Sequence, residues 1–346
     1  MSDIVTKPRG FVLGKFMPPH RGHLFLCDTA RRMVDKLTVL VCSTPDEPVP
    51  GKARFLWMAE AVPYARVLHC DRDLPQEPAD HPDFWRIWRE VIEAFHPEPI
   101  DRVFAGEPYG FRLAEELGAE PVIIDPDREA FSISGTAIRK SPAAHWDDIA
   151  APARERFQKR LCILGPESTG KSRLAAHLAD RFRTRMMPEY GRAYDVYYKQ
   201  SRFAKGTHWT GADLMMLAET HAAMRAALAP LAGPLFIEDT DAIQTAVWAE
   251  HLLDEPLPAL ERFAAQDTAD HYLLLSPDTP WSDDGVRYAG APETRAWFFD
   301  AAKARLDRLG LSYDVISGAD WEKRSAEAEK AAEALLAAPA AAGRRG

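Results

Sequence analysis

The sequence predicts an α/β protein of two domains in series, each built on a mostly parallel sheet covered by helices. Three observations carry that expectation. The chain has 346 residues, more than one hydrophobic core usually organises. Short apolar runs alternate with longer amphipathic stretches, which is the rhythm of βαβ units. The alternation also passes through two cycles, interrupted by a segment over 141–159 that carries Pro142, Pro152 and Trp146.

In the first cycle the runs at 11–13, 38–42, 67–68, 103–105 and 122–124 read as buried strands with helical patterns between them. In the second the runs are at 161–164, 235–238, 272–275 and 313–316. Strands of this kind belong to parallel sheets covered on both faces, whose ligands bind beyond the carboxyl ends of the strands. The expected organisation is one domain over 1–145, a linker over 146–158 and a second domain over 159–337. The low-complexity end AAPAAAGRRG gives a disordered tail over 338–346.

Composition narrows the function. Hydrophobic residues make up 46% and charged residues 27%, as in a globular protein. A net charge of −9 argues against an extended nucleic-acid face, which needs basic residues. Cys27, Cys42, Cys70 and Cys162 form no CxxC pair, so neither a zinc knuckle nor a redox couple is expected. The opening MSDIVTKPRG has no apolar signal core and no run is long enough to span a membrane, so a cytoplasmic protein is expected.

Directly after the first strand comes GKFMPPHRGH, residues 14–23, followed by a helical pattern. Gly14 lets a ligand approach the backbone, and a helix starting near Gly22 offers free N–H groups to phosphate. His20 and His23 can donate to the oxygens of an α-phosphate, in bonds that strengthen as charge builds up on them, while Lys15 neutralises the same charge. Their bland alternative is a pair of capping or core-edge histidines. An HxGH after a strand end resembles the signature of the nucleotidyltransferase superfamily, which also places Phe16 at the nucleotide. ISGTAIR, residues 133–139, matches that superfamily's second signature. There Ser134 caps a helix, Thr136 and the helix amides face the nucleotide's phosphates, and Arg139 contacts the leaving pyrophosphate.

The second cycle opens on GPESTGKS, residues 165–172, a full GxxxxGK[ST] match between strand and helix. Its backbone from Gly165 through Glu167, Ser168, Thr169 and Gly170 wraps phosphates, Lys171 reaches the outer oxygens, and the Ser172 hydroxyl ligates Mg²⁺. Downstream lie Glu189 in PEYGR, with Tyr190 and Arg192 as substrate contacts, and then FIEDTD. Asp239 is the candidate organiser of Mg²⁺ and Asp241 a candidate substrate ligand or base. Which of Glu189, Asp239 and Asp241 takes a proton is left open by the sequence, since each alone also suits a cap or a surface. DTPW with Trp281 and DGVR with Arg287 suit a lid over ATP, Trp281 being either a stacking or a structural ring.

In order along the chain, GKFMPPHRGH, ISGTAIRKSP with Trp146, GPESTGKS, EYGR, FIEDTD and DTPW…DGVR resemble the bifunctional NadR family. The resemblance implies a Rossmann-like HxGH nucleotidyltransferase domain followed by a P-loop kinase domain. It implies ATP as co-substrate at both sites, phosphorylation of nicotinamide riboside to the mononucleotide (NMN), and adenylylation of NMN to NAD and pyrophosphate. Trp85 and Trp88, with Arg86 or Arg89 to hold the phosphate, then fall where relatives bind the pyridine nucleotide, although the tryptophans' i, i+3 spacing equally suits a core stripe. The first strand begins so near the start of the sequence that a DNA-binding repressor module is not expected. FIEDTD has one acid more than the family's FIDTD, and GRAYD departs from GREY. Self-association, as in a homo-oligomer, is left open. So are a sensor with one active half and a kinase for another nucleoside.

Overall fold

Val39, Leu40 and Val41 are sealed from solvent, as an apolar run must be in a parallel strand with helices on both faces. In the computed structural model, which describes residues 8–199, 208–282 and 289–338, the chain divides between Phe157 and Gln158 into two units. The first runs β1 (Arg9–Gly14), α1 (Arg21–Met33), β2 (Lys36–Cys42), α2 (Gly51–Ala61), β3 (Arg66–Cys70), α3 (Phe84–Phe95), β4 (Arg102–Ala105), α4 (Tyr109–Leu117), β5 (Glu120–Ile123) and α5 (Gly135–Lys140). Its five strands are all parallel, in the order β3-β2-β1-β4-β5. The chain reverses its winding between β1 and β4, so a crevice opens above their carboxyl ends.

The segment expected to be a linker is folded. Two 3-10 turns and α6 (Arg154–Phe157) bury Trp146, Ile149, Ala153 and Phe157 against Ile133 and Ile138. Its backbone also grips the loop after β1: Ala150 N–H donates to the Pro19 carbonyl at 3.1 Å, and Ile149 bridges His20. Four apolar residues spaced among its prolines join Ile133 and Ile138 in one small core, so this linker packs rather than floats.

The second unit runs β6 (Lys159–Leu164), α7 (Lys171–Arg181), β7 (Met186–Met187), α8 (Tyr190–Tyr194), α9 (Gly211–Leu228), β8 (Leu235–Asp239), α10 (Ala242–Leu253), α11 (Pro258–Gln266), β9 (His271–Leu275), α12 (Pro292–Arg308), β10 (Tyr313–Ile316) and α13 (Trp321–Ala337). The strand order is β10-β9-β6-β8-β7, again all parallel. Strand β7 was not expected. Its two residues pair with Ile237 and Glu238 and deliver the chain to Glu189 beside the end of β8. Residues 339–346 of the expected tail lie outside the described residues. Among the described residues no helix is long and apolar enough to cross a membrane.

Beneath the β8 end lies a buried ion-pair cluster. Glu238 is fully buried and takes the Arg160 guanidinium through Nε at 2.6 Å and Nη2 at 3.2 Å. Burial pushes its carboxyl up, but the charge of Arg160, its two hydrogen bonds and the nearby Arg225 outweigh it and bring it down to about 2. Breaking such a pair leaves a buried charge uncompensated, so Glu238→Ala is expected to cost about 3–5 kcal/mol. Equilibrium denaturant unfolding would read this; a change of less than about 1 kcal/mol would refute the strut role.

Candidate active sites

The first cavity, about 570 Å³ in volume, lies over β1 and β4. It gathers Gly14, Lys15, Phe16, His20, Gly22, His23, Ser134, Thr136, Arg139, Trp85 and Trp88, so two motifs more than a hundred residues apart share one wall. His20 and His23 stack with ring centroids 3.7 Å apart. The His20 backbone N–H donates to His23 Nδ1 at 3.3 Å, which leaves the neutral ring's proton on Nε2. Phe16 is buried, with φ of 49°, and its ring meets His23 edge-on. It thus props the histidine. Gly14 leaves room for that ring to fold back, a Cβ there coming within 3.1 Å of it.

Both imidazoles are held neutral. Burial, then the charge of Arg128, pushes His20 down to about 4 despite Asp148; burial, then His20 and Arg128, puts His23 well below its ordinary range. An unfolded histidine takes up a proton near pH 6.5 that folded His20 refuses until about 4, so the unfolded state binds more protons in that window. Stability is therefore fully present above pH 6.5 and falls as pH drops through the window. Denaturant midpoints at about pH 7 and about pH 5 should differ less in His20→Asn than in the parent chain; equal losses would overturn this.

Arg139 donates to the Met17 carbonyl and, at 3.1 Å, to Thr136 Oγ1, and Ser134 Oγ accepts the Ala137 amide at 3.1 Å, the cap expected of it. Trp88 serves core and cavity together: it is buried, its indole N–H donates to the Pro75 carbonyl at 3.0 Å, and it lines the cavity with Trp85. Arg89 does not join them. It reaches for Glu116 at 3.9 Å, because its position on α3 faces α4. Arg128 was missed. It follows Asp125, both have positive φ, and Asp125 Oδ1 takes the amides of Glu129 and Ala130, a tight turn that presents Arg128 to the cavity.

The second cavity, about 370 Å³, lies where β6, β7 and β8 end. Glu167, Ser168, Gly170, Lys171, Ser172, Glu189, Tyr190 and Arg192 line it. The loop over 165–172 is braced from within the chain: Lys171 Nζ donates to the Pro166 carbonyl at 3.0 Å, and Arg324 to that of Thr169 at 2.9 Å. Gly165 and Thr169 brace rather than line. The Gly165 N–H donates to Gln244 Oε1 at 3.1 Å and Thr169 Oγ1 to the Pro166 carbonyl at 2.8 Å. Gly165 has φ of 142°, and a Cβ there would lie 2.7 Å from the Leu275 carbonyl.

The acids sort themselves by position. Asp239 is buried at the end of β8. Burial, then the charge of Glu189, pushes it up to about 6 against Lys171 and a bond with Ser172. Asp241 is not a cavity group. It caps α10, accepting from Ile243 N–H at 2.8 Å and Tyr272 O–H at 2.8 Å; both its oxygens are spent in the core, which corrects its assignment as substrate ligand or base. Trp281 packs on Gly290 rather than lining the cavity, and Arg287 lies outside the described residues. The rings that do line it are Tyr190, Trp209 and Trp248, with His221 and Asp195. No motif marks Trp209 or Trp248, and only the placement of α9 and α10 brings them in.

Comparison with known proteins divides the chain in the same way. Residues 11–141 match the Cytidylyltransferase-like family and residues 160–324 the AAA domain family. The trifunctional NAD biosynthesis/regulator proteins NadR of Salmonella typhimurium and Escherichia coli are each 28% identical, over 91% and 92% of this chain and 80% and 81% of their own length. A nicotinamide-nucleotide adenylyltransferase of Methanospirillum hungatei is 28% identical over 44% of this chain and 88% of its own. Among solved structures, a NadR protein in complex with NAD and AMP-PNP superposes with a TM-score of 0.75 at 23% identity, covering 96% of this chain and 97% of that one. A NadR protein in complex with NR gives 0.74 at 22%, with the same coverage.

Proposed function

The chain is a homologue of NadR through both of its domains, and from that premise we propose that it is a bifunctional enzyme of NAD synthesis. The second domain phosphorylates nicotinamide riboside with ATP, and the first adenylylates the resulting NMN to NAD and pyrophosphate. One observation carries the reading: a paired-histidine cavity with Lys15 and Arg139 and a phosphate-loop cavity with Glu189 stand in one chain, each complete enough for one of two consecutive steps.

In the first cavity the NMN phosphate attacks the α-phosphorus of ATP and pyrophosphate leaves. No protein nucleophile is needed. Neutral His23, its proton on Nε2, donates to the oxygens where charge develops, and Lys15 and Arg139 hold the phosphates in line. Trp85 and Trp88 offer faces to the cationic pyridine.

In the second cavity the riboside's primary hydroxyl attacks the γ-phosphorus of ATP, the bond to the β,γ-bridging oxygen breaks, and ADP leaves. Lys171 and the loop amides hold the phosphates. With Asp241 spent on α10 and Asp239 beside Ser172, Glu189 is the carboxylate left to take the hydroxyl proton. Tyr190, Trp209 and Trp248 form the aromatic wall for the base. The residues fit Mg²⁺: Asp239 Oδ1 is buried without a hydrogen-bond partner, and the Ser172 hydroxyl lies next to it. When bound, the cation neutralises phosphate oxygens; two protein ligands suffice for an ion that keeps water and phosphate about it.

The test is to incubate the full chain with Mg²⁺-ATP and either nicotinamide riboside or NMN, separating ADP, pyrophosphate and NAD by chromatography. Both substrates should yield NAD, with ADP formed only from the riboside. Consumption of neither would sink the assignment.

A further inference from the structure

We propose that Glu47, clamped by the buried guanidinium of Arg54, is the positioning residue for Lys15, fixing its ammonium where the nucleotide's phosphates lie. This rests on reading the first cavity as the adenylyl-transfer site, and it adds a part that no motif marks.

Arg54, on α2, is fully buried. It donates to the Lys15 carbonyl at 2.7 Å, to the Cys42 carbonyl at 3.3 Å and to Glu47 Oε2. One side chain thereby joins the loop after β1, the end of β2 and the loop leading into α2. Glu47 Oε2 also accepts the Thr44 amide at 3.0 Å, so the carboxylate is held from two directions. Its other oxygen faces Lys15 Nζ at 3.2 Å. The lysine side chain is 49% exposed and the glutamate 9%, so the ammonium is tied from below and open toward the cavity.

The electrostatics make the arrangement informative. Burial pushes the Glu47 carboxyl up, but the Thr44 amide, Arg54 and Lys15 outweigh it and leave it below the usual carboxylate range, hence ionised at neutral pH. A carboxylate at the margin of a phosphate cavity repels the anion the cavity must hold. Removing its charge should help nucleotide binding and harm alignment. A strut that only stabilised the fold would not separate the two.

Glu47→Gln, Lys15→Ala and the double variant, each in the full chain, test this by steady-state NAD formation from NMN with ATP varied. Glu47→Gln should lower kcat about tenfold, within the range of coupled contacts, with the KM for ATP unchanged or lower. In the Lys15→Ala background it should lower kcat no further. Effects that multiply in the double variant, or an undiminished kcat in Glu47→Gln, overturn the proposal in favour of a fold strut. A Lys15→Ala variant as active as the parent overturns it too, while leaving the site reading intact. Absence of NAD from the parent chain itself is instead the failure of the site reading.

Discussion

Lys171→Ala is expected to lower riboside phosphorylation by about two to three orders of magnitude, the range seen when one preorganised donor is taken from developing charge. The side chain follows a glycine loop already braced by Arg324, Gln244 and Thr169, so truncation should leave the cradle standing. Its ammonium rests on the Pro166 carbonyl, a contact that costs little to give up when phosphate arrives. Adenylylation of NMN, in a cavity lined by none of the same residues, should be unchanged. ADP and NAD measured in parallel decide it: loss of both steps would mean that Lys171 is structural, and loss of neither that its ammonium does not stabilise the developing charge.

The mirror experiment is His23→Ala, for which NAD formation from NMN should fall by about two to three orders of magnitude while ADP release from the riboside stays normal. His23 is caught between the Phe16 ring and His20, and its tautomer is set by a backbone donor. His23→Asn, which retains a donor on a shorter arm, should fall less far. An asparagine variant no better than alanine would argue against hydrogen-bond donation.

The strands were largely legible because each is a buried apolar run in a parallel sheet, and the two phosphate motifs because glycine, histidine and lysine stand at fixed distances from strand ends. Other features were hidden for physical reasons. A two-residue strand such as Met186–Met187 has no period to read. Glu238 and Asp239 are adjacent and both buried, so nothing local says that one pairs with Arg160 and the other faces Ser172; only the partners decide. Asp241 looked like a site acid because a carboxylate after a strand end serves a helix cap and a substrate equally well. Trp209 and Trp248 reach the cavity through tertiary packing that no spacing encodes.

The gripping of the His20 loop by Ile149 and Ala150 bears on how such a gene can be cut and rejoined. Homology to the first family fades at residue 141, and a recombination that respected that limit would strand the catalytic loop without the brace encoded downstream of it. A crossover at the Phe157–Gln158 junction would keep the loop and its brace together. The inheritable module is therefore longer than the motifs that identify it.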